Sequence, residues 1–125
     1  MNIFKSLKQK ILKGIKRILN AFRFSYDGFK ATFKSEPAFR EDLFVFAVFL
    51  PISLIVDVSS CERALMIFSL IFILFAECVN TAIEVVIDRI STEIHPLSKK
   101  AKDIGSFIVL LSFVNALIIW NTILF

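Results

Sequence analysis

The sequence predicts an all-α integral membrane protein, with three transmembrane helices preceded by an amphipathic helix on the bilayer surface. Three observations carry that expectation. First, 57% of the 125 residues are hydrophobic and the mean hydropathy is +0.76, a balance that rules out disorder and does not suit an ordinary soluble domain. Second, residues 104–125 form an uncharged run of 22 residues, and about 20 suffice to span a bilayer. Third, charge is segregated: residues 1–35 hold nine basic side chains and one acid, residues 36–125 six and ten, so a head of net +8 joins a body of net −4. A basic head on an apolar body fits an anionic membrane surface better than nucleic acid.

From Phe4 the apolar positions Leu7, Ile11, Ile15, Ile18 and Phe22 form one helical stripe, while Lys5, Lys8, Lys10, Lys13, Lys16 and Arg17 fill much of the remaining surface. The expected element is a helix over residues 3–24 lying in the membrane interface. Bases interleaved through the stripe distinguish it from a secretory leader, whose apolar run is continuous. Ser25–Lys34 mixes small, aromatic and charged residues, after which Ser35, Glu36 and Pro37 read as a helix start. The first span is placed at 37–57, opening on Arg40, Glu41 and Asp42 and carrying Pro51 as a kink position. Asp57–Arg63 reads as a polar loop, the second span as 63–90 and the third as 99–125. Arg89, Lys99, Lys100 and Lys102 between the last two spans join the basic head in placing that side, with the N-terminus, in the cytoplasm.

Composition also excludes chemistry. With three glycines and three prolines there is no Gly-rich phosphate loop and no dinucleotide fingerprint. Cys61 and Cys78 build neither a disulfide framework nor a zinc site, and read as small apolar fillers. Three short spans enclose little space, so a working site calls for neighbouring copies.

The unusual feature is acid inside an apolar helix. Glu84 and Asp88 each fall about 20° from Glu77 on a helical wheel, and Asn80 about 60° from it. A carboxylate in the membrane interior costs about 2.5–3.5 kcal/mol on the insertion scale, so such groups need partners, a metal or water. Pairing of Glu84 and Asp88 with Arg89 or Lys102 at the interface would explain two of them. Glu77 lies deepest and is suited to a general base or a proton relay. Glu36, at the mouth of the first span, can share a depth with Glu84, and two such oxygen donors plus a phosphate suit Mg²⁺. His95 reads as a loop histidine, and Lys102-Asp103 as a charged helix start or a polyphosphate contact.

Three blocks of sequence resemble the small prokaryotic integral-membrane diacylglycerol kinases: Glu36-Pro-Ala-Phe39-Arg40; Glu77-Cys-Val-Asn80-Thr-Ala-Ile-Glu84-Val-Val-Ile-Asp88-Arg89; and Glu93-Ile-His95-Pro-Leu-Ser98-Lys-Lys-Ala-Lys102-Asp103-Ile-Gly105-Ser106. The resemblance covers the chain from about Arg17 onward and implies a homotrimer with active sites shared between subunits in the bacterial inner membrane. It implies transfer of phosphate from ATP to diacylglycerol with Mg²⁺ as cofactor. On the matching positions Glu77 would be the base and Asn80 would help position the reacting centre. Glu36 and Glu84 would hold the metal. Arg17, Glu36, Glu84, Glu93, His95, Lys102 and Asp103 would contact the nucleotide. Arg17, Phe39, Asp42, Glu77, Ser106 and Trp120 would contact the lipid. The chain departs from the family's usual wording at Phe22, Phe24, Tyr26-Asp27 and Asp42, and its basic stretch before Arg17 is longer, which reads as extra membrane anchoring. A sister branch phosphorylates undecaprenol, and residues alone also admit a non-enzymatic proton-relay or pore-forming oligomer.

Overall fold

Residues 2–125 are described in a computed structural model of the protein and form four α-helices: α1 (Ile3–Ser35), α2 (Pro37–Ile55), α3 (Ser60–Ile90) and α4 (Pro96–Leu124). The chain divides into two units, one ending at Ser35 and the other running Glu36–Phe125.

The first unit is α1, which continues past the expected end at Phe24 through the mixed segment to Ser35. Nothing in that segment forbids a helix. Gly28 weakens it by only about 1 kcal/mol, and the Ser25 and Thr32 hydroxyls donate to the Ala21 and Gly28 carbonyls at 2.8 and 2.9 Å. Phe29 and Phe33, one turn apart, stack with centroids 6.0 Å apart. The stop comes at Pro37, which disfavours helical backbone in the residue before it; Glu36 is accordingly extended, at φ −111° and ψ 103°. No residue of α1 is buried, and its apolar stripe of Phe4, Leu7, Ile11, Ile15 and Ile18 is exposed.

In the second unit α3 packs against both α2 and α4. Pro37 opens α2 at a position where its missing N–H is no loss, and the helix runs on through Pro51. The polar loop expected at Asp57–Arg63 is half helix, because α3 already starts at Ser60. A reciprocal cap nucleates it: the Ser59 amide donates to Glu62 Oε2 at 2.8 Å, and the Glu62 amide donates to Ser59 Oγ at 3.2 Å. One turn on, the Arg63 guanidinium donates to the Ser53 carbonyl and, at 3.1 Å, to the Val56 carbonyl. It thereby satisfies carbonyls that the end of α2 leaves open and clamps an antiparallel pair.

Antiparallel packing of α3 on α4 is marked at three levels. Trp120 Nε1 donates to Ser69 Oγ at 3.0 Å, Gly105 meets Asn80, and Lys102 pairs with Asp88 at 2.8 Å. The core along this axis is unusually polar. Buried apolar residues are Phe39, Met66, Leu70, Ile73, Ala76 and Ala116, and as many buried residues are polar or charged: Asp42, Ser53, Ser69, Glu77, Thr81 and Ser112. Cys61 and Cys78 are free and exposed, so they do not serve as core fillers within one chain.

Two helices, α3 and α4, are long and apolar enough to cross a membrane. The first expected span, α2, has 19 residues and spends its first turns on Arg40, Glu41 and Asp42, which leaves Leu43–Ile55 as its uncharged part. Because Arg63 closes the α2–α3 turn with charge-assisted bonds, Arg63→Ala is expected to lower stability by about 1.5–3 kcal/mol. The shift would be read by thermal or denaturant unfolding in detergent, and Arg63→Lys would recover only part, since an ammonium lacks the guanidinium fork.

Candidate active site

Between Ala64 and Ala76, α3 is apolar except for Ser69; at Glu77 its inward face becomes polar. Glu77 is 6% exposed, with the Asn80 side chain in reach one turn on. Asp42, Glu84 and Glu36 are carboxylates near enough for their charges to act on it. The register explains why. Carried along two antiparallel helices rising 1.5 Å per residue, the Arg63–Val56 contact sets Asp42 level with Glu77 and Glu36 close to the level of Glu84. Asp42 is itself 7% exposed.

On the α4 side the helices approach closely. A Cβ added at Gly105 would overlap the Asn80 carboxamide oxygen and lie 3.2 Å from Asn80 Cγ, so glycine allows Asn80 to sit between α3 and α4. Asp42 Oδ2, Asn80 Oδ1 and Thr81 Oγ1 are buried without a hydrogen-bond partner. Two of these unsatisfied atoms lie within about one turn of Glu77 on α3 and the third lies on α2, and such atoms are suited to receive polar groups from a ligand or neighbour.

Further along α3, its end, the turn and the start of α4 enclose a pocket of about 290 Å³ lined by Asp88, Ser91, Thr92, Glu93, His95, Ser98, Lys99, Lys102 and Asp103, with Ile87 and Ile94. His95 caps α4: its Nδ1 accepts from the Leu97 amide at 3.1 Å, which leaves the ring proton on Nε2. Lys102 pairs with Asp88 at 2.8 Å and Lys99 with Asp103 at 2.5 Å, and all four side chains are largely exposed, so each pair opens readily to a competing anion.

The residues nominated from sequence thus fall in several places. Glu77, Asn80 and Asp42 form one centre, with Glu36 and Glu84 in electrostatic reach and Phe39 buried on the same end of α2. Glu93, His95, Lys102 and Asp103 share the turn pocket. Ser106 is exposed beside Gly105. Trp120 lies apart: its partner Ser69 precedes Glu77 by two turns, about 12 Å along α3, and it packs edge-on against Phe49, 5.3 Å between centroids. There it lines an apolar pocket with Val45, Leu70, Ile73, Phe113, Ala116 and Leu117. Arg17 belongs to the first unit, in a basic groove with Lys13, Lys16 and Asn20.

Among the described residues no three His, Cys, Asp or Glu side chains converge at metal-holding range. Glu36 and Glu84 offer two hard oxygen donors, a set that fits Mg²⁺ only when phosphate oxygens and water complete it. Sequence reading missed Thr81, Gly105, Ser98 and Lys99. Gly105 had a usable signal, a single glycine in an apolar helix, which marks close backbone approach; Thr81 had none, since a threonine in an apolar helix ordinarily bonds its own backbone. Gly105→Ala is expected to force Asn80 aside and to reduce both activity and unfolding stability, the latter by about 1–3 kcal/mol; unchanged unfolding would mean that Asn80 moves freely.

Comparison with known proteins shows the family to which the sequence is similar. Residues 23–124 match the family model described as prokaryotic diacylglycerol kinase. A diacylglycerol kinase of Pseudomonas aeruginosa is 46% identical over 111 residues, covering 89% of this chain and 90% of the relative. Diacylglycerol kinases of Haemophilus influenzae and Escherichia coli K12 are each 38% identical, covering 90% and 89% of this chain and 95% and 91% of the relatives. With a matching family model over most of its length and full-length relatives at these identities, this chain belongs to the prokaryotic diacylglycerol kinase family.

Proposed function

We propose that this protein transfers the γ-phosphoryl group of ATP to the free hydroxyl of diacylglycerol, giving phosphatidic acid and ADP. Family membership supports the reaction class. The observation that carries the site assignment is Glu77, a buried carboxylate placed on the same helix as a basic and polar pocket two to three turns away. Nucleotide held there by Lys102, Asp103, Glu93 and the His95 Nε2 proton would direct its phosphates along α3, past Glu84, toward Glu77. Mg²⁺, held by Glu36 and Glu84 together with phosphate oxygens, would neutralise charge on the phosphates.

In the proposed step Glu77 takes the proton of the lipid hydroxyl, the hydroxyl oxygen bonds to the γ-phosphorus, and the bond to ADP breaks with its electron pair leaving on ADP. Positioning and charge neutralisation supply most of the catalysis in such a transfer, so the absence of a Gly-rich loop is no obstacle. Asn80 holds the Glu77 carboxylate, while Asp42, Phe39 and Ser106 bear on the lipid headgroup. Trp120 and its apolar pocket suit an acyl chain in the bilayer interior. Arg17 would meet anionic groups at the surface.

The same reading supplies the membrane arrangement. α2 would complete three spans, with its charged first turns at the interface, α1 lying on the surface, and the N-terminus and α3–α4 turn cytoplasmic in the inner membrane. Phe44, Phe68, Phe75, Phe107 and Leu117 are exposed on the single chain, as lipid-facing or subunit-facing surfaces require. A homotrimer with shared sites would bring a neighbour's groups to the unsatisfied atoms around Glu77.

The test is transfer of labelled phosphate from Mg-ATP to diacylglycerol and to undecaprenol in mixed micelles. Glu77→Gln is expected to fold as the parent does and to lose at least 10²-fold in turnover, in line with removal of a general base (about 10²–10⁴-fold). Near-normal activity in that variant would remove Glu77 from the base role. Product from undecaprenol alone would move the substrate to the polyprenol branch, and no product from either would favour the proton-relay reading.

A further inference from the structure

Among the buried hydroxyls of α2, α3 and α4, Ser53, Ser69 and Ser112 behave alike: each donates to the carbonyl three residues back, at 2.7, 2.7 and 2.6 Å. This is the usual way a hydroxyl is satisfied inside an apolar helix bundle. Thr81 does otherwise. It is 7% exposed, yet its Oγ1 has no hydrogen-bond partner, although the Glu77 carbonyl one turn back is the acceptor a helical threonine ordinarily uses.

The surroundings say what the free hydroxyl is for. Thr81 follows Glu77 by four residues, and helical side chains lean toward the N-terminus, so Thr81 lies over the turn that carries Glu77. Asn80, the neighbouring residue, has its side chain in reach of the same carboxylate, and a carboxylate accepts at two oxygens. The charged groups acting on Glu77 are Asp42, Glu84 and Glu36, all acceptors when ionised, so the Thr81 proton is a donor set among acceptors. Valine would fill the same space without burying an unsatisfied oxygen.

We propose that Thr81 is a positioning residue whose hydroxyl donates to the Glu77 carboxylate in the reacting complex and fixes its orientation toward the lipid hydroxyl. Bonds of this kind are commonly open in a ligand-free site and close when substrate is bound. The inference rests on the reading of Glu77 as the base.

The test is steady-state kinetics of the full chain in mixed micelles with Mg-ATP and diacylglycerol, comparing the parent with Thr81→Val, Thr81→Ala, Thr81→Ser and Glu77→Gln. Thr81→Val and Thr81→Ala are expected to lose on the order of ten-fold in kcat with KM for ATP unchanged, as misplacement of a reacting group does. Thr81→Ser, which keeps the hydroxyl and drops the methyl group, is expected to retain kcat within about two-fold. Near-parental kcat in Thr81→Val would overturn the proposal, as would equal losses in the serine and valine variants, which would make the effect one of packing. The two readings separate cleanly. A parent active on diacylglycerol, a dead Glu77→Gln and an unimpaired Thr81→Val sink only the Thr81 role, whereas an active Glu77→Gln sinks the base assignment and this inference with it.

Discussion

An ionised carboxylate withdrawn from water costs several kcal/mol unless other groups answer its charge, and α2 and α3 bury Asp42 and Glu77 near enough for their charges to interact. Two more carboxylates, Glu36 and Glu84, stand within electrostatic reach. Much of the local architecture can be read as a response. Asn80 stands one turn from Glu77, Gly105 makes room for Asn80, and Arg63 ties the start of α3 to the end of α2. Carboxylates held this close are unfavourable when all are ionised, so the arrangement favours protons, a metal or positively charged neighbours, and Lys102 already acts on Glu84. Phosphoryl transfer supplies that need naturally, because its substrates arrive with a divalent cation.

Much of this was legible in the amino-acid order. A wheel of α3 already put Glu77, Glu84 and Asp88 on one face, because a helix of fixed pitch leaves no freedom in that placement. The partner of Asp88 was narrower than composition allowed: Arg89 and Lys102 both offered charge, and the α3–α4 register brings Lys102 to it. Tertiary packing decides such choices, and it is not encoded locally. The extent of α1 was under-read for a related reason. Ser25–Lys34 lacks a clean stripe, but a helix stops only where something stops it, and the stop is Pro37.

The two halves of the site were legible for different reasons. The turn pocket collects residues that are close in sequence, so Glu93, His95, Lys102 and Asp103 could be grouped before any fold was known. The role of Gly105 depends on a helix twenty-five residues away in sequence, at Asn80, and Thr81 is distinguished only by a bond it does not make. His95 illustrates both levels at once: its cap on Leu97 is local chemistry, while its neighbours in the pocket include Asp88 from α3.

The α2–α3 turn has a meaning for how the chain reaches its final place. In the proposed orientation this turn is the segment that must be pushed through the hydrocarbon layer during biosynthesis, carrying Asp57, Glu62 and Arg63 with it. Unpaired, those groups would each resist the passage. Glu62 is closed onto Ser59 in the cap, and Arg63 is folded back onto the carbonyls of Ser53 and Val56. Two of the three charged groups can therefore travel already satisfied, and α2 and α3 can enter the bilayer together as one hairpin.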